Sequence, residues 1–122
     1  MYEQLNELMM QMNAARRASD SANDKAFEAR QRAIKLQFDA TSAADMAALA
    51  AEMLAAAQDK HQIIKLAAAS REAIRQTITL TEAAAQAVEE ANALDRQVTA
   101  AFQDCRQAAS RLLAVLDTVE SL

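Results

Sequence analysis

Apolar side chains, most of them small, recur along this chain at alternating spacings of three and four residues. In the second half, place Ile63 at heptad position a and Leu66 at d. The seam then runs through Ser70, Ala73, Thr77, Leu80, Ala84, Ala87, Ala91, Leu94, Val98, Ala101, Cys105, Ala108, Leu112, Val115 and Val119 to Leu122. Only Ser70 and Thr77 break it with a polar group. A repeat of this kind lines up one stripe on a helix, because its mean period is close to one helical turn. A flanking e stripe, Ile74, Val88, Phe102 and Leu116, is apolar too, whereas the f positions from Arg75 to Asp117 are polar. An a/d/e face is wider than a two-stranded seam requires. It predicts packing in a bundle of three or four helices.

The first half keeps a register of its own. Its seam passes from Leu5, Leu8 and Met12 through Ala15, Ser19, Ala22, Ala26, Ala29, Ala33, Leu36, Ala40, Ala43, Ala47 and Ala50 to Leu54 and Ala57. Phe27, Ile34 and Phe38 lie away from that seam and form a second apolar strip. From Ala43 to Ala57 the helix is apolar nearly all round, as in helices that are surrounded by others.

The two registers do not join. The first would place a at His61, the second places it at Ile63, and an offset of two is neither of the common coiled-coil discontinuities. The mismatch falls in the polar stretch Gln58-Asp59-Lys60-His61-Gln62, where Asp59 and Gln62 have capping-box spacing. The expected fold is therefore all-α, a long antiparallel helical hairpin in one all-helical domain. Its arms span about 3–57 and 62–121 and its bend lies near 58–62. Each arm would be about 85 Å long. A three-helix bundle is the alternative, with breaks at Ser42/Asp45 and at Thr79/Glu82. The β-branched run Thr77-Ile78-Thr79-Leu80-Thr81 supports the second break. The polar stretch Ser19 to Asp24 is a further weak point, which would free a Met-rich first segment (Leu5, Leu8, Met9, Met10, Met12) as an adaptable contact surface.

Composition sharpens this picture. The 122 residues contain no glycine and no proline, where average usage would supply about 15 of the two together. Tight turns and strands have little place in such a chain. The glycine-dependent phosphate loops, nucleophile elbows and dinucleotide fingerprints are excluded. Apolar residues make up 52%, half of them alanine. Alanine favours helix and close backbone approach but buries little area. A thin core gains from partner chains, so self-association is expected. The net charge of −4 is split evenly between the halves, without a basic block or aromatic platform. Nucleic-acid binding is thereby disfavoured.

The residues from Met1 to Glu7 lack a basic region followed by an apolar run, so a cytoplasmic location or export without a Sec signal is expected. Ala43–Ala57 carries Asp45 and Glu52 and is too weak for a membrane span. Mixed charge on the polar faces argues against an amphipathic lipid-surface binder.

Candidate chemistry is sparse. His61 is the only histidine, and His61-Gln62-Ile63-Ile64-Lys65 resembles the phosphoacceptor segment of histidine phosphotransfer domains. Here the lysine stands one place too late and the following glycine is missing. Phosphotransfer through His61 is carried as an alternative function. Cys105 occupies a core a position and has no second Cys or His at helical spacing, so it reads as a small buried side chain. Glu89-Glu90 and the f-position acids Asp45, Glu52 and Asp59 lack the Glu-x-x-His motif of di-iron bundles. No catalytic, cofactor-binding or metal site is expected, and the chain is read as a non-enzyme.

As an alanine- and glutamine-rich hairpin without a Sec signal, the chain is similar to bacterial secretion-associated helical proteins, both filament or needle-like subunits and their small chaperones. The resemblance implies a structural or interaction protein that self-associates through alanine-rich coiled-coil faces, as a subunit of a secretion-type filament or assembly. The alternative is a small chaperone or adaptor that holds a helical client. Phe27, Ile34 and Phe38 are the candidate intersubunit contact. Leu94, Val98, Leu112 and Val115 are the candidate core seam between the arms.

Overall fold

The computed structural model describes residues 2–121 and contains two helices, α1 (Tyr2–Ala56) and α2 (Lys60–Glu120). They pack against each other as a hairpin, with no strand among the described residues. The three-helix alternative is overturned. α1 runs unbroken through Ser42 and Asp45, and α2 runs unbroken through Thr79 and Glu82. The stretch from Ser19 to Asp24 is also continuous helix. Beside both sites a threonine hydroxyl bonds a carbonyl one turn back within the continuing helix. The Thr41 hydroxyl donates to the Gln37 carbonyl at 3.0 Å and the Thr77 hydroxyl to that of Ala73 at 2.8 Å. The small propensity penalty of the β-branched run is then outweighed by packing of the seam face.

The link between the helices is Ala57-Gln58-Asp59, slightly earlier than the expected bend. Lys60, His61 and Gln62 belong to the first turn of α2, where the Ile63 N–H donates to the Asp59 carbonyl at 2.9 Å. The Ala57 N–H donates to the Leu54 carbonyl at 3.2 Å, tightening the last turn of α1. Among the described residues no backbone φ is positive. The reversal needs no left-handed residue, so the absence of glycine costs it nothing.

Burial follows the two heptad registers. The buried side chains are Ser19, Ala26, Ala29, Ala33, Ala43, Ser70, Ala84, Ala87, Ala91, Ala108 and Leu112, and all are seam positions. Every other described seam residue is half-buried, except Ile63 beside the bend, which is exposed. Leu122, the last seam position, lies outside the described residues. The core is therefore mostly alanine, which lets the helix backbones come close while removing little apolar area from water.

The hairpin divides into two compact units. The end unit holds the residues up to Glu28 and those from Ala91 onward. Its seam includes Leu5, Leu8, Met12, Leu94, Val98, Leu112, Val115 and Val119. The bend unit is Ala29–Glu90. Alanine dominates its seam, and Leu36, Leu54, Ile63, Leu66 and Leu80 supply the bulk.

Candidate interaction surface

Large apolar side chains stand outside the seam in both units. In the bend unit Ile34, Phe38, Met46, Leu49 and Met53 of α1 are exposed, as are Ile64, Ile74 and Ile78 of α2. In the end unit Tyr2, Met9, Met10 and Phe27 of α1 and Phe102, Leu113 and Leu116 of α2 are exposed. The apolar e stripe is thus mostly left in water by the hairpin itself: Ile74 is 49% exposed and Phe102 55%, with only Val88 half-buried.

Phe27, Ile34 and Phe38 are 55%, 59% and 71% exposed. Phe27 belongs to the end unit, and Ile34 and Phe38 to the bend unit. Leu94, Val98, Leu112 and Val115 all belong to the end unit. Leu112 is buried at 9% exposure, and the other three are half-buried. Reasoning along single helices overlooked Ile64 and Ile78. The signal was present in the spacing: Ile78 follows Ile74 by one helical turn, so the two form one patch.

Two open grooves of the bend unit show which helix edges face the same way. One is lined by Gln37, Ala40, Thr41 and Ala44 of α1 with Thr81 and Ala84 of α2. These are a, b and e positions, so the e edges of both helices flank one side of the unit. The other groove sits beside the bend and is lined by Met53, Ala56, Ala57, Gln62, Lys65, Leu66 and Ala69. Those are c, d and g positions and mark the opposite side. Arg32 and Glu90, both at g, are 3.5 Å apart and largely exposed. A pair of that kind adds little stability.

The candidate chemical residues are dispersed. His61 is exposed in the first turn of α2, and Cys105 is a half-buried free thiol. Asp45, Glu52, Asp59, Glu89 and Glu90 are exposed. Among the described residues no three His, Cys, Asp or Glu side chains gather where they could hold a metal ion. None of their helices is long and apolar enough to cross a membrane.

Inside the seam, the Ser70 hydroxyl is buried without a hydrogen-bond partner. Thr77, one heptad further on, satisfies its own hydroxyl through the helix backbone. Comparison with known proteins adds no relative: no family model, curated protein or solved structure matches this chain.

Proposed function

We propose that this chain is a non-enzymatic structural protein that works by associating with further copies of itself through the apolar surface its hairpin leaves open. The supporting observation is the amount of that surface. Among the described residues, sixteen large apolar ones keep 40% or more of their area exposed. Ile74 and Ile78, one helical turn apart, form one exposed apolar patch, and monomers seldom leave large patches of that kind uncovered. The alanine seam is consumed inside the hairpin, so association has to use the outer edges. A subunit of a secretion-type filament or assembly is the role that this surface and the sequence resemblance favour together.

The groove beside the bend favours a second reading, a chaperone or adaptor. It is open, apolar and edged by Met53, whose flexible thioether adapts to varied partners. An amphipathic client helix is the chemistry that such a groove accepts. Negative-stain microscopy with sedimentation over a concentration series distinguishes the two. Growing fibres support the filament subunit. A small closed oligomer that retains an added amphipathic helix supports the chaperone. A single chain that binds neither overturns both.

A further inference from the structure

We infer that the e/b face of the bend unit is a self-complementary docking surface, which pairs with the same face of a second copy to close a four-helix bundle. This inference rests on the assembly reading above and assigns it a face. The groove flanked by Gln37, Ala44 and Thr81 puts the e edges of α1 and α2 on one side of the unit, and the neighbouring b positions widen that side. Ile34, Ile64, Ile74 and Ile78 stand exposed on it, with Val88 half-buried at its edge. Beyond Gln37, α1 presents only small residues on it, at Thr41, Ala44, Ala48, Ala51 and Ala55. Bulky side chains on one helix and a shallow track on the other are what interdigitation across a two-fold axis requires. In an isologous pair each copy supplies both knobs and track.

Area and charge both point to a second copy as the occupant. From Arg30 to Ala55 a helix rises about 39 Å, and two helices side by side span about 20 Å. The face therefore offers about 780 Å², close to the roughly 800 Å² per partner of a stable interface. Its charged positions are Arg30, Lys60 and Arg71, all cationic. The adjoining f positions carry the exposed acids Asp45, Glu52, Glu82 and Glu89 against one cation, Arg75. A face with cations beside an acidic rim complements itself when one copy is turned over the other. The opposite side is less suited, because Arg32, Lys35, Asp39, Lys65, Glu72 and Glu90 lie along it.

The test compares sedimentation-equilibrium masses of the full chain with two double variants. Ile34→Glu with Ile78→Glu puts charge on the e/b face. Met46→Glu with Met53→Glu puts it on the other side. The expected result is a wild type of two or more chains, with association at least about 100-fold weaker in the first variant. The second variant keeps the wild-type mass. Helix content by circular dichroism is read alongside, and the milder pair Ile34→Ala with Ile78→Ala replaces the first variant should its helix content fall. If the wild type associates and only the Met46/Met53 variant weakens it, or neither does, the face is wrong while the assembly reading stands. If the wild type is a single chain throughout, the assembly reading itself fails.

Discussion

The end unit and the bend unit use the same heptad seam, yet they distribute apolar bulk differently. In the end unit Leu94, Val98, Leu112 and Val115 are turned inward. Leu112 is the one large side chain counted among the buried core. In the bend unit the buried residues are Ala29, Ala33, Ala43, Ser70, Ala84 and Ala87. Its isoleucines at 34, 64, 74 and 78, with Phe38, face outward. Hydrophobic gain scales with area removed from water. The end unit seats more of its bulk in its own seam, although Phe27, Phe102, Leu113 and Leu116 stay exposed there. The bend unit leaves more of its large apolar side chains outside the seam, where the hairpin itself does not cover them.

Substitutions that move bulk between seam and surface sharpen that contrast. The largest effect on the isolated fold is expected from Leu112→Ala, which removes the bulkiest buried side chain of the end unit. A loss of about 2–3 kcal/mol should appear in urea unfolding. Ala84→Leu in the bend unit forces a large side chain into a track sized for methyl groups. A loss of about 2 kcal/mol is expected from the same measurement, whereas a gain would mean that the bend seam has room for bulk. Ser70→Ala removes a buried hydroxyl without a partner. It should raise stability by about 1 kcal/mol. A destabilised variant would show that Ser70 does make a stabilising hydrogen bond. The smallest effect belongs to Arg32→Ala, which breaks an exposed pair with Glu90 and should change stability by no more than about 0.5 kcal/mol.

The seams were legible because periodicity is local. All eleven buried residues among those described fall on two registers that can be read by spacing alone. The reversal was legible from the clash between those registers at His61 and Ile63. The continuity of α1 and α2 was harder to read. Ser42, Thr77 and Thr79 look like boundary residues, but Thr77 satisfies its hydroxyl inside the helix, and the seam on the same turns favours continuing. The outer face was legible only in pieces. Ile34 belongs to one helix and Ile74 and Ile78 to the other. Their sharing a side follows from which edges meet in the hairpin, and periodicity along one helix carries no such information. Spacing along α1 alone accordingly groups Phe27, Ile34 and Phe38, although Phe27 lies in a different unit from the other two.

The most direct measurement is the mass of the full chain at sedimentation equilibrium, followed over a wide range of concentration. An outer surface built for neighbours requires a mass of at least twice the 13.2 kDa of one chain, falling only on dilution. A constant 13.2 kDa at every concentration would mean that the exposed isoleucines and phenylalanines meet no second copy, and self-assembly would have to be abandoned.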